Sequence, residues 1–172
     1  PARLAALLRA RGRRIAPPEG LLGGVGAPLV EPGHGILTFG ASGSVRAVLT
    51  EASAARSFFV SCAATLPDGE GVEMAADLAA AGVSVELIPD DEIGEVMLGC
   101  DLVLLGTSAI GPAAAMNIAG SAHVTTEARS MRVPVHLVAS VEKALPGPLF
   151  DRAVEAGARE GRYEPISLHE LT

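Results

Sequence analysis

From Gly35 onward the chain alternates between short apolar runs and longer stretches in which apolar positions recur every three or four residues. The short runs fall at 36–40 (ILTFG), 57–62 (SFFVSC), 83–88 (VSVELI), 101–105 (DLVLL) and 133–138 (VPVHLV). Their length and their content of Val, Ile, Leu and Phe predict β-strands. Between them, 44–54, 70–81, 92–98 and 118–131 predict helices. Strand and helix units alternating in this way predict an α/β fold, a single parallel sheet with helices on both faces. Pro134 opens the last strand, a position where its missing N–H is tolerated.

The flanks read differently. Residues 4–10 (LAALLRA) have helical spacing, but Ile15 to Gly35 is interrupted by Pro17, Pro18, Pro28, Pro32 and several glycines. That composition predicts a short helical or irregular lead-in over 1–35, followed by one domain over 36–172. After Pro146 the pattern weakens. A helix is expected from Phe150 to Ala158, and the stretch from Gly161 to Thr172 is expected on the surface or as an added sheet edge.

Composition narrows the partners. The 172 residues are 49% hydrophobic, enough for one packed core, yet aromatics make up only 3% and Trp is absent. This suits tight helix-on-sheet packing better than a base-stacking or carbohydrate platform. A net charge of -7 disfavours nucleic acid as a partner. Arg3, Arg9, Arg11, Arg13 and Arg14 gather near the start and read as a solvated basic face or a docking face. The two cysteines, Cys62 and Cys100, lack metal-site spacing, so reduced buried thiols in a cytoplasmic protein are expected. No apolar run has the length of a bilayer span and no secretory pattern is read, so no membrane partner is expected. Neither a cofactor motif nor a metal-ligand set is present in the pattern.

The strongest candidate chemistry is ILTFGASGS, Ile36 to Ser44, where a strand runs through a small glycine-rich turn into a helix. Backbone N–H groups at such a helix start can face an anion, usually phosphate. Gly40, Ser42, Gly43 and Ser44 therefore read either as an anion cradle or as a tight connection with Ser42 or Ser44 as N-cap. A second loop, Gly106 to Ser121, offers Thr107, Ser108, Asn117, Gly120 and Ser121 as ligand contacts, or Asn117 and Ser121 as caps. In a parallel sheet, ligands bind beyond the carboxyl ends of the strands, where the loops 40–44, 62–70, 89–92, 106–117 and 139–148 are expected. Neither glycine-rich loop carries Cys, His, Lys, Asp or Glu, so groups for proton transfer or nucleophilic attack are missing from both. Weak catalytic candidates remain in Ser108, His123 and Cys62. The acidic turn Pro89-Asp90-Asp91-Glu92 reads as turn and capping residues, or as an acid/base or metal group.

Taken in order, ILTFGASGSV, LPDGEGVEMAADLAAAGVSVELIPD, DLVLLGTSAI and NIAGSAHVTTEARSMRVPVHLVAS resemble a known family over roughly residues 36–150. It unites the α, β and δ subunits of eukaryotic initiation factor 2B with methylthioribose-1-phosphate isomerase and ribose-1,5-bisphosphate isomerase. The resemblance implies a Rossmann-like sheet domain, dimerisation through that domain, and a sugar-phosphate pocket. In the family a helical domain precedes the sheet; this chain has only about thirty-five residues there.

The isomerases carry a cysteine in a Leu-Thr-His-Cys-Asn type of motif. Here the motif reads Leu37-Thr38-Phe39-Gly40-Ala41, so Gly40 stands at the thiol position. Their aspartates, in Gly-Ala-Asp and Asn-Gly-Asp motifs, and the lysine of Asn-Lys-Ile-Gly-Thr are replaced within Gly106-Thr107-Ser108, Ala113-Ala114-Ala115 and Asn117-Ile118-Ala119-Gly120-Ser121. Leu66 stands at the arginine position of the Glu-Ser/Thr-Arg-Pro motif. The resemblance therefore implies a catalytically degenerate member that binds a phosphorylated small molecule or a protein in a regulatory role, as a homodimer or with a related subunit. An active aldose-ketose isomerase with substituted groups and an oligomerisation scaffold are the alternatives.

Overall fold

A computed structural model describes residues 19–171. The helical reading of 4–10 and the five-arginine cluster lie outside the described residues. The described residues form eight strands: β1 (Gly35–Phe39), β2 (Phe59–Ala63), β3 (Val85–Ile88), β4 (Leu102–Leu105), β5 (Ala109–Ile110), β6 (Ala114–Ile118), β7 (Val135–Leu137) and β8 (Tyr163–Ser167). The α-helices are α1 (Glu19–Gly26), α2 (Gly43–Ser53), α3 (Glu70–Ala80), α4 (Ile93–Met97), α5 (Ser121–Met131) and α6 (Gly147–Arg159). None of the helices described is long and apolar enough to cross a membrane.

Five strands form a parallel sheet in the order β3-β2-β1-β4-β7. All four residues of β4 are buried, as an uninterrupted Leu-Val-Leu-Leu run requires of a strand covered on both faces. Alternation along β1 divides the core into two layers. Ile36 packs with Val45, Val48 and Leu49 of α2 and with Met74 and Leu78 of α3. Leu37 and Phe39 point the other way, toward Ile93 and Met97 of α4 and Val124 and Ala128 of α5. The Rossmann-like arrangement predicted for the chain is present, with helices on both faces.

Strand order reverses between β1 and β4. From β1 the chain adds strands in one direction to β3, then returns and adds β4 and β7 on the other side. At such a switch point the loops leaving two neighbouring strands diverge to opposite faces and open a crevice at the carboxyl end. The loops after β1 and β4, beginning at Gly40 and Gly106, flank that crevice.

Three expectations require correction. The sheet is not the only one: β5, β6 and β8 form a three-stranded antiparallel sheet in that order. The segment 106–117, read as a loop, is thus largely a hairpin, and the tail supplies its outer strand. β8 contains Pro165, acceptable because β8 lies at the edge of its sheet. The helix placed at 118–131 begins only at Ser121, because Asn117 and Ile118 pair with Glu164 and Tyr163 in the ladder. Ile166 is fully buried and joins the layer containing Leu37, which ties the small sheet to the main core.

The stretch before β1 is also more ordered than its Pro and Gly content predicts. Helix α1 lies against α2, and a Cβ on Gly26 would collide with the side chain of Val48. The small residues that weaken a helix in isolation here allow close approach. Ala27 and Val30 are buried in the same layer as Ile36.

Candidate functional site

A cavity of about 190 Å3 occupies the β1/β4 crevice. The turn after β1 forms one wall. Gly40 adopts φ +78°, a conformation L side chains rarely take, and a Cβ there would run into Ile118. The turn is therefore shaped for glycine at this position. The Gly40 amide donates to Thr65 Oγ1 at 3.0 Å, and the Ala41 amide reaches Glu70 Oε2 at 3.4 Å. Ser42, extended at φ -135°, is the N-cap of α2 and its hydroxyl accepts from the Val45 amide. Its side chain rests directly on Gly106, where any Cβ would overlap Ser42 Oγ. Two small residues at the ends of β1 and β4 thus bring the two loops together.

The amides of Gly43 and Ser44 occupy the first turn of α2 and have no intrahelical acceptor. Among the described residues, no carbonyl or carboxylate accepts from either. Gly43 lines the cavity; Ser44 is buried in the helix and does not.

The loop after β4 forms the second wall through Gly106, Thr107 and Ser108. The Thr107 hydroxyl turns inward. It lies 2.8 Å from the carbonyl of Ala109 and 2.7 Å from that of Met116, sharing one proton between them and pinning the β5-β6 hairpin. Ser108 is exposed, with its amide on the Met116 carbonyl. Asn117 reaches the cavity from β6 while its Nδ2 donates to Ser121 Oγ at 3.0 Å. Gly120 and Ser121 lie behind this bond and do not line the cavity. The start of α5 is already occupied: the Ala122 amide donates to Glu164 Oε1 at 2.7 Å.

His123 and Cys62 are both remote from this constellation. His123 is exposed and pairs with Glu127 at 3.5 Å. Cys62 is fully buried in β2, and burial pushes its thiol up to about 12. At neutral pH such a thiol is protonated and unreactive. Asp90 of the acidic turn accepts the Thr65 and Leu66 amides, each at 2.7 Å, which fixes the loop after β2.

Three lining residues with polar or charged side chains escaped the sequence reading as site residues. Glu70, at the start of α3, receives Arg162 on Oε1 at 2.8 Å and forms the wall shared with a smaller cavity of about 80 Å3 beside Leu66 and Pro67. Tyr163 arrives from β8, beneath the Arg162 guanidinium. Lys143 comes from the turn after β7 and donates to the Thr107 carbonyl at 2.7 Å. Burial lowers its pKa from the usual lysine value, with Glu142 acting in the opposite direction. Lys143 is the only lysine in the sequence, a count that would have marked it.

Comparison with known proteins gives a consistent family. A curated relative, the translation initiation factor eIF2B subunit beta of Dictyostelium discoideum, is 29% identical over 138 residues, 78% of this chain and 36% of its own length. The chain thus spans about a third of that relative. Among solved structures, the Pyrococcus horikoshii OT3 translation initiation factor eIF-2B superposes with a TM-score of 0.74 at 25% identity, covering 83% of this chain and 52% of that one. The eIF-2B subunit delta from A. fulgidus gives 0.79 at 22% identity, with coverages of 90% and 55%. A chain of the tetrameric eIF2B-beta2-delta2 complex from C. thermophilum gives 0.76 at 21% identity, with coverages of 90% and 53%. The model of the initiation factor 2 subunit family matches residues 15–161, most of the sequence, and the chain belongs to that family.

Proposed function

We propose that this family member binds a small phosphorylated molecule in the β1/β4 cavity and acts as a binding or regulatory subunit, not as a sugar-phosphate isomerase. One contrast carries the reading. At the start of α5 the Ala122 amide is taken by Glu164, whereas the first-turn amide of α2 at Gly43 lies at the cavity without an internal acceptor. Amides at a helix N-terminus, together with the helix dipole, favour an anion. Against catalysis stands the chemistry of the lining: Gly40 replaces a thiol, Cys62 is remote, and Glu70 is engaged by Arg162. Each positioned acid or base contributes roughly 10²–10⁴-fold, so loss of both leaves turnover near background.

Association with a second copy or a related subunit belongs to the same proposal. Its support is the solved relative described as a tetrameric beta2-delta2 complex.

A thermal-shift panel of inorganic phosphate, sugar phosphates and nucleoside monophosphates tests the binding reading. A ligand at a hundredfold excess over Kd stabilises the native state by about 2.7 kcal/mol. At least one compound should raise the melting temperature, and Gly43→Asp should abolish the shift by placing a carboxylate at the helix start. Flat curves across the panel would overturn the phosphate reading in favour of a scaffold. Coupled assays should show no isomerisation of methylthioribose 1-phosphate or ribose 1,5-bisphosphate; turnover that disappears in Ser108→Ala or Cys62→Ser would overturn the degenerate reading.

A further inference from the structure

The two oxygens of the Glu70 carboxylate serve different sheets. Oε1 receives Arg162 at 2.8 Å, from the residue that opens β8 of the small sheet, and Oε2 receives the Ala41 amide at 3.4 Å, from the turn that leaves β1 of the main one. The backbone beneath Glu70 is fixed. Gly71 donates its amide to the Ala64 carbonyl at 3.2 Å, and a Cβ there would overlap the Ala63 carbonyl, so α3 starts pressed against the end of β2. Any rearrangement of the Glu70–Arg162 contact therefore falls to the side chains and to the β8 side.

Arg162 is the movable member. Its side chain is 50% exposed, against 20% for Glu70, and it follows Gly161, a turn residue at φ +67° with open space around it. An ion pair this exposed adds little stability and is weakened by salt. Farther along β8 the attachments are of another kind: Glu164 caps α5 through the Ala122 amide, and Ile166 is fully buried. Opening of the pair is thus confined to the Arg162 side chain and the turn before it. The pair also stands where two cavities meet. Glu70 and Ile118 line both the larger and the smaller one, and Arg162 lines the smaller.

We propose that Arg162 and Glu70 form an ionic latch. Closed, it divides the crevice into cavities of about 190 Å3 and about 80 Å3 and ties the start of β8, through one carboxylate, to the Ala41 turn. Open, it joins the two cavities, exposes the face of Tyr163 and leaves the Ala41 amide with a carboxylate free to turn toward it. The latch operates in the free chain, whatever ligand the larger cavity takes.

Tyr163 supplies the readout. It is the only tyrosine in a chain without tryptophan, it lines the larger cavity, and the Arg162 guanidinium lies 5.7 Å from its ring centroid. Quenching of its fluorescence by acrylamide measures how often the ring is uncovered. Glu70→Gln keeps the size of the side chain and leaves Arg162 in the sequence, so it reports the latch and not merely the loss of a covering group. Glu70→Gln and Arg162→Met should each at least double the quenching constant, and the double variant should add nothing further. Asp68→Asn, which removes only the longer contact at 3.6 Å, should stay near wild type. A wild-type quenching constant in Glu70→Gln, or additive effects in the double variant, would overturn the proposal. A second measurement needs no variant: raising sodium chloride from about 20 mM to about 0.5 M should increase quenching of the wild-type chain relative to free N-acetyltyrosinamide. A wild-type ratio that does not move with salt would overturn the latch even if neither variant folded.

Discussion

The Glu164 carboxylate accepts the Ala122 amide at 2.7 Å, so a residue of β8 supplies the negative charge at the N-terminus of α5. The contact joins the small antiparallel sheet to a helix of the main domain. It also separates two helix starts that look alike in sequence, each built from small glycine, alanine and serine residues. Glu164→Ala removes both the acceptor and the charge. It should lower stability by about 1 kcal/mol, the usual scale for loss of a cap, read as a lower urea midpoint with an unchanged slope.

Thr107 offers a separate test of what its hydroxyl does. Thr107→Val keeps the branched shape but removes the proton shared by the Ala109 and Met116 carbonyls. Stability should fall by about 1 kcal/mol, while any ligand-induced rise in melting temperature should persist. Equal stability together with loss of the ligand response would show that the hydroxyl faces the ligand instead.

Burial of Cys62 has a pH signature. The thiol pKa is raised from 9.0 to about 12 in the folded chain, so below pH 9 both folded and unfolded states hold the proton. Above that, the unfolded chain releases its proton first and is favoured. Stability should therefore decline as pH rises from about 9 toward 12, with a contribution of the same sign from Cys100, raised to about 11. Urea midpoints across this range should show a shallower decline for Cys62→Ala than for wild type.

The five parallel strands were legible because each is a compact run dominated by apolar residues, and in β1, β2 and β4 burial on both faces leaves little polar alternation to confuse the pattern. The small sheet was not. β6 reads Ala-Ala-Met-Asn-Ile, a sequence with weak strand preference, and its partner β8 lies more than forty residues away with a proline in it. Only long-range pairing makes either segment a strand. Helix α1 was hidden for the opposite reason, since its glycines serve contact with α2 and local propensity counts against them. At the site, Gly40, Ser42 and Gly43 stood out because turn chemistry is local. Lys143, Glu70 and Tyr163 did not, because their place in one cavity depends on how three distant segments meet.

Tyr163 stands 124 positions after Phe39, yet both line the same cavity. On a ribosome, the parallel strands emerge well before β8, and chains generally fold from the N-terminal side as they lengthen. A nascent chain halted before Tyr163 would hold a nearly complete Rossmann-like sheet with its cavity unfinished. The ligand recognition proposed for this cavity would then require synthesis to pass β8, and premature termination near residue 160 would silence it while most of the core remained in place.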